Sequence, residues 1–397
     1  MSSISSLAQL QSKLKYENID VFIINRSDEF LNEYIAPYAE RLHFITHFSG
    51  SAGKAIILQN KAYLYVDGRY TFQADEQINS NEIKSRHLNL FWDDLKKIII
   101  KQNCVIAVDP KLHSIKEIQT IQECTTNTST SIKFLKTNIV DKIWKNKPKI
   151  EYSNIFDHPI KFAGSDRTEK LNNFFDFLNK NNINKYLVTG LDNIAWLLNI
   201  RADDILYTPL VFSYLLVSKN HKSSLYIKHD KINDKLKIEL EKYINIQSIE
   251  DINDIFSKID KDDIVGLDFS TTTYYFLKQL EDNNIQYKDI TNPLILSKAI
   301  KNKIEQTGAF NANLRDGISM TRFIYWLKNE IDINSSNEII VSKYLETLRT
   351  NNELFHSLSF ETISAFGKNA ALPHYRVNKI SNADFKEDNI YLVDSGA

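Results

Sequence analysis

The polar residues best placed for chemistry lie near the C-terminus. His374 sits in Leu-Pro-His-Tyr-Arg, and Asp394 ends the apolar run Asn389-Ile-Tyr-Leu-Val-Asp394, followed by Ser395 and Gly396. A carboxylate at a strand end before a Ser-Gly pair can point into a cleft, where it would bind a hard metal or serve as an acid or base. The plainer alternative for Asp394 is a turn-forming aspartate bonded to its own backbone, and spacing alone favours that alternative. For His374 a packed or surface histidine is likewise the better reading in isolation.

Other motifs are weaker. The chain has no Gly-rich phosphate loop, no His-Glu-x-x-His zinc helix and no Gly-x-Ser-x-Gly nucleophile elbow. Phe48-Ser-Gly-Ser-Ala-Gly53 reads as a tight loop before a strand, not as a phosphate cradle. Tyr207, Phe212 and Tyr214 read as core aromatics. Charge runs such as Lys258–Asp263 read as solvated faces.

The elements that must position such residues begin with composition. The 397 residues carry 49 Lys+Arg and 50 Asp+Glu, a formal charge of −1, which lacks the basic excess of a general nucleic-acid binder. With 43% hydrophobic and 25% charged residues, the chain has ample material for two or three domain cores. Two cysteines, Cys104 and Cys124, exclude a disulfide scaffold or Cys-rich zinc site and fit a reducing compartment. No stretch reads as an export signal or a membrane span. The expectation is a soluble, cytoplasmic, multidomain protein.

Periodicity predicts a helix over Leu7–Lys15, then the strand Asp20–Ile24. A hairpin follows over Lys54–Gln59 and Ala62–Val66, then a helix over Thr71–Asn79 and a strand at Val105–Val108. The same order recurs about 160 residues later. A helix over Thr168–Lys180 leads to a strand ending at Val188. A hairpin follows over Tyr214–Ser218 and Ser223–Ile227, turning at Lys219–Lys222, and then a strand over Asp263–Asp268. This implies a duplicated α/β domain. Val140–Pro148 reads as a strap anchored by Trp144. Beyond Thr291-Asn-Pro293, a long helical pattern over Ser297–Glu330 is expected to break near Gly317. A helix over Asn337–Asn351 and strands at Phe360–Ala365 and Asn389–Asp394 complete the chain. A buried-looking strand that stops three residues after an Asp is odd, so the expectation is a chain truncated relative to a longer ancestor.

Several stretches, in one order along nearly the whole chain, resemble the aminopeptidase P family of Xaa-Pro aminopeptidases, in its long three-domain branch. They are Ser27–Tyr34, Glu40-Arg41, Phe48–Gly53, Val66-Asp-Gly-Arg-Tyr70, Val140–Trp144, Leu191–Arg201, Phe212–Tyr214, Lys301-Asn302, Leu314-Arg-Asp-Gly317, Trp326-Leu327, Leu372–Tyr375 and Leu392–Ala397. The resemblance implies two tandem creatinase-like (ribonuclease H-like) α/β domains, 1–150 and 151–292, followed by an incomplete pita-bread α+β catalytic domain, 293–397. It implies removal of the N-terminal residue from peptides beginning Xaa-Pro by two divalent cations, usually Mn²⁺, held by five ligands. A metal-bridging hydroxide then attacks the carbonyl of the first residue. Charge balance and the lack of a long apolar run argue against nucleic-acid and membrane partners, and dimerisation is typical of the branch.

Carried over position by position, Asp394 aligns with the first aspartate ligand of the metal pair. His374 aligns with a substrate-binding histidine, and Arg69 with an arginine that contacts peptide. A structural ion pair is the competing role for Arg69. Asn313 departs from the histidine common in relatives, with a packing consequence expected. The remaining ligands would follow Ala397, so a dinuclear site is not expected in these residues, and the chain alone is expected to be inactive. Two other readings stand beside this one: a non-catalytic remnant acting through folding or dimerisation of its N-terminal domains, and a hydrolase of the creatinase or prolidase type.

Overall fold

The computed structural model describes residues 5–100, 103–219 and 222–397. Asn220 and His221, in the predicted second hairpin turn, lie outside the described residues. By contacts the chain forms two units. One comprises residues up to Ile205 together with Pro209–Ile300, the other Leu206–Thr208 with Lys301–Ala397.

The N-terminal unit contains two six-stranded mixed sheets. The first is built from β1 (Val21–Asn25), β2 (Lys54–Leu58), β3 (Ala62–Val66), β4 (Lys84–His87), β5 (Val105–Val108) and β6 (Ser131–Phe134), in the order β4-β3-β2-β1-β5-β6. The second contains β7 (Lys185–Val188), β8 (Tyr214–Ser218), β9 (Ser223–Ile227), β10 (Ile244–Ser248), β11 (Ile264–Leu267) and β12 (Gln286–Asp289), in the order β10-β9-β8-β7-β11-β12. Both have two antiparallel pairings, β1–β2 and β2–β3 or β7–β8 and β8–β9, and parallel pairings elsewhere. Strand order and direction are the same in both sheets, as a duplication requires.

Alternation explains why β1 is buried along its whole length. Val21 and Ile23 face a core shared with the second domain, whereas Phe22 and Ile24 face a core belonging to the first domain alone. On β8, Tyr214 and Leu216 enter the shared core, and Leu215 and Val217 enter the second domain's own. A sheet covered on both faces needs apolar residues at consecutive positions, which is why these strands read as unbroken apolar runs.

The duplicated domains meet through matching segments. Ile115 N–H bonds Thr272 O at 3.0 Å and Lys116 N–H bonds Phe269 O at 2.9 Å, while Tyr274 N–H bonds His113 O at 2.9 Å and Tyr275 N–H bonds Pro110 O at 2.9 Å. Each donor and acceptor in one pair has its counterpart in the other at an offset of 159 residues, the signature of a local two-fold between copies. The strap is held as the sequence suggests. Trp144 stacks on Phe44, with ring centroids 4.7 Å apart, and Asp141 receives two hydrogen bonds from the buried Arg41, at 2.9 and 3.0 Å.

The stretch beginning Ser27-Asp-Glu-Phe contains a fully buried carboxylate. Asp28 accepts from the Phe30 and Asn32 backbone N–H groups, both at 3.0 Å, and from the Asn32 side chain at 2.8 Å. Burial nevertheless pushes its carboxyl up to about 6, since it removes the charged form from water while every donor is neutral. The folded state therefore retains a proton that the unfolded chain releases near pH ~3.9, so this group's stabilising effect is full below that pH and lost as pH rises to about 6. Urea midpoints should show wild type losing about 2–3 kcal/mol across that interval relative to Asp28→Asn. Parallel pH profiles for the two proteins would contradict this.

The C-terminal unit holds α6 (Lys303–Asn329), α7 (Glu338–Thr350) and an antiparallel pair, β13 (Ile363–Phe366) with β14 (Tyr391–Asp394); earlier helices include α1 (Ser6–Tyr16), α2 (Ile115–Thr125), α3 (Arg167–Lys180), α4 (Tyr274–Asp282) and α5 (Pro293–Ala299). Several expectations are corrected here. The predicted long helix breaks at Ile300–Asn302, not at Gly317. A capping box starts α6, in which Glu305 N–H bonds the Asn302 side chain at 3.0 Å and Glu305 bonds the Asn302 N–H at 2.9 Å. Gly317 stays helical because this 27-residue helix absorbs a penalty of about 1 kcal/mol for one exposed glycine. Helix α5, which a boundary at 292 assigns to the third domain, instead packs on the second, with Leu294 in that domain's core. Asn313 is exposed on α6 and bonds Ala309 O at 2.8 Å, so it has no packing role.

Candidate active site

The pairing of β13 with β14 places Ile363 opposite Asp394 and Ala365 opposite Leu392. Alternation then sorts the side chains. Tyr391 and Val393 pack with Phe323, Val341 and Leu345 of the two helices, whereas Leu392 packs with Ile363 and Ala365 on the other face. Asp394, two residues beyond Leu392, belongs to that second face, where its side chain is exposed. The strand bearing Asp394 is therefore apolar because half of it covers a helical core.

The same face is covered by the segment that carries His374. Leu372 and Val377 pack against the cluster of Ile363, Ala365 and Tyr375. Two tight turns, Leu372 N–H to Asn369 O at 3.0 Å and Tyr375 N–H to Leu372 O at 3.1 Å, shape this segment. Tyr375 is buried and His374 beside it is half-buried. The structure thus brings Asp394 and the His374 turn to one face of one sheet. Arg69 belongs to the other unit. It lies after β3 in Asp67-Gly-Arg-Tyr, half-exposed, and its guanidinium forms a two-pronged pair with Asp67 at 2.9 and 2.8 Å.

Tyr207 is not a core aromatic, unlike Phe212 and Tyr214, which are buried. Its backbone has a φ of 65°, and the Leu206–Thr208 segment joins the C-terminal unit. There it lines a cavity of about 380 Å³ with Glu346, Phe355, Glu361 and Val377. Burial and the nearby Glu361 and Glu346 carboxylates raise its hydroxyl above the ordinary phenol range.

Among the described residues, no three His, Cys, Asp or Glu side chains form a group able to hold a metal ion. Asp394 alone offers one monoanionic carboxylate, which does not fit a pair of divalent cations. One site residue escapes sequence reasoning altogether. Glu338, at the start of α7, is fully buried and bonds the Tyr375 hydroxyl at 2.8 Å. An acidic residue after an N-capping Asn is ordinary on a helix, so nothing local sets it apart.

Comparison with known proteins agrees with this architecture. Residues 7–136 and 146–305 each match a creatinase/prolidase N-terminal domain, and residues 310–397 match metallopeptidase family M24. A protein of Paracoccidioides brasiliensis named "Probable Xaa-Pro aminopeptidase P" is 32% identical over 98% of this chain. The chain belongs to the aminopeptidase P family. A member of the same name from Neosartorya fischeri is 33% identical over 98% of the chain. The chain spans 66% and 62% of the lengths of these two aminopeptidase P relatives. The crystal structure of an X-prolyl aminopeptidase from Caenorhabditis elegans, described as a cytosolic enzyme with a di-nuclear active site, superimposes with a TM-score of 0.89. It is 26% identical, and the match covers 100% of this chain and 68% of that one. The fold is accordingly two creatinase-like α/β domains followed by an M24 segment.

Proposed function

We propose that this aminopeptidase P family member serves the hydrolysis of peptides that begin Xaa-Pro, at the bond before proline. The observation that carries the reading is the common face of β13–β14 that holds Asp394 and is covered by the His374 turn, within the segment matching the M24 metallopeptidases. In this reading Asp394 is a metal ligand, His374 hydrogen-bonds the substrate and Arg69 contacts the peptide. Asp67 suits that last role, because its two-pronged pair fixes the guanidinium plane while leaving it half-exposed. Family resemblance alone supports Mn²⁺ as the metal, the cytoplasm as the compartment, a homodimer as the assembly and a first domain boundary at 150. No helix among the described residues is long and apolar enough to cross a membrane.

Among the described residues no three His, Cys, Asp or Glu side chains form a group able to hold a metal ion, which supports the proposal that these 397 residues alone are inactive. A second, non-catalytic reading draws support from packing. The N-terminal unit has three extensive apolar cores, whereas the C-terminal clusters contain only three buried residues each. Incubating the 397-residue chain and Asp394→Ala with Mn²⁺ and an Ala-Pro peptide tests both. Little or no hydrolysis and no tight uptake of two Mn²⁺ by calorimetry are expected. Turnover abolished in Asp394→Ala would show that a working metal site forms and overturn the inactivity. To test the peptide site itself, binding of the same peptide is measured by calorimetry. It should weaken at least about tenfold in His374→Ala, a loss of about 1.4 kcal/mol.

A further inference from the structure

Glu338 opens helix α7 and is completely buried, yet all the groups that bond its carboxylate are neutral. Phe366 N–H donates at 2.6 Å, Ala383 N–H at 2.9 Å, the Asn369 amide at 3.0 Å and the Tyr375 hydroxyl at 2.8 Å. Burying a carboxylate costs several kcal/mol even after relaxation. Here the four donors and the positive end of a 13-residue helix offset that cost. An apolar side chain would fill the space without a desolvation penalty, so the carboxylate needs a reason beyond packing.

Its donors supply one. They come from the end of β13, from the turn that follows it and from both sides of the loop carrying His374. The Tyr375 hydroxyl gives its one proton to Glu338, and its oxygen lies 2.9 Å from Ser381 Oγ, which can donate to it, while the Asn369 amide also donates to Ser381 O at 3.0 Å. The Asn369–Tyr375 turn is thus clamped at both ends against one carboxylate. Tyr375 is held inward against Glu338, and His374, the preceding residue, lies half-buried beside it. A satisfied buried network of this kind specifies one conformation, where apolar packing would tolerate several.

We propose that Glu338, acting through Tyr375 and Asn369, is the positioning residue that fixes how His374 is presented to peptide. The inference rests on the reading of His374 as a substrate-binding residue and adds what holds it there.

The test uses the 397-residue chain with 13C-labelled histidine, its His374 imidazole signal assigned by His374→Asn. That signal should shift or split in both Glu338→Gln and Tyr375→Phe. It should stay in place in Val341→Ala, a core variant on the same helix that belongs to a different apolar cluster from Tyr375. An unmoved signal in folded Tyr375→Phe and Glu338→Gln overturns the proposal, and so does an equal displacement in Val341→Ala. Should Glu338→Gln fail to fold, Tyr375→Phe decides alone, since it deletes one hydroxyl and leaves the carboxylate three donors. Adding Ala-Pro-Ala to wild type judges the underlying reading separately. A peptide that leaves the His374 signal unmoved refutes substrate contact, while the variants still decide whether Glu338 sets the conformation.

Discussion

Replacing Phe212 with Ala is expected to lower stability by about 3–5 kcal/mol, the range for deleting a large aromatic side chain from a core that cannot collapse. Phe212 is 1% exposed and lies in the core shared by the duplicated domains. Its ring stacks on Phe30 of the first domain, with centroids 5.2 Å apart and an interplanar angle of 13°. It also meets Tyr38 and Tyr152 edge-on, each at 6.1 Å. The aromatic thus joins the first domain, the segment between domains and the second domain in one cluster. Urea unfolding followed by tyrosine and tryptophan fluorescence measures the loss, and a change below about 1 kcal/mol would mean that the shared core does not couple the domains. Phe30→Ala in the same background should be non-additive by about 0.5–1.5 kcal/mol, because both substitutions remove one stacked pair.

The second large effect concerns the C-terminal unit. Arg349 on α7 is 1% exposed and forms a two-pronged pair with Asp316 on α6, Nε to Oδ1 at 2.6 Å and Nη2 to Oδ2 at 3.0 Å. Arg349→Ala removes the pair and the packed stem, leaving the partly exposed Asp316 without its guanidinium. A loss of about 2–4 kcal/mol follows, somewhat below that for a wholly buried pair because water can reach Asp316. The apolar cluster beside this pair has three buried residues, Phe323, Val341 and Leu345, so the loss is large relative to what holds α6 to α7. Hydrogen exchange should therefore show residues 303–350 opening while the two α/β sheets remain protected. Uniform destabilisation of the whole chain would contradict this, as would Arg349→Ala protection indistinguishable from wild type. The motif Leu314-Arg-Asp-Gly317, notable in the sequence only for its resemblance to relatives, acquires a physical role through this pair.

The candidate positions came from the sequence by different routes. Asp394 drew attention as a carboxylate ending an apolar strand before Ser-Gly, but spacing alone favoured a turn residue, and the family resemblance made it a ligand candidate. His374 was marked by the family motif; the structure adds that its turn lies over the same sheet face. Glu338 was invisible because its importance depends on donors 28 to 45 residues away in sequence. Tyr207 misled for the opposite reason. Proximity to Phe212 and Tyr214 suggested a shared core, but a backbone at φ 65° turns the Leu206–Thr208 segment into the other unit.

The sequence by itself determined where strands form and that they form twice. Apolar runs such as Val21–Ile24 and Tyr214–Val217, bounded by polar turns, specify extended segments through local burial, and their recurrence exposes the duplication. The start of α6 is also encoded locally, since Asn302 and Glu305 cap one another within a single turn, although the continuous helical pattern from Ser297 masked it and the break was expected at Gly317 instead. Only the tertiary structure decided that β5 lies beside β1, that the two domains exchange matched hydrogen bonds, and that a buried carboxylate clamps the His374 turn. Caps and apolar runs are satisfied by neighbours a few residues away, so they can be read along the chain. Strand order, a shared core and a four-donor carboxylate require groups from distant segments to meet, and they exist only once the fold has brought those segments together.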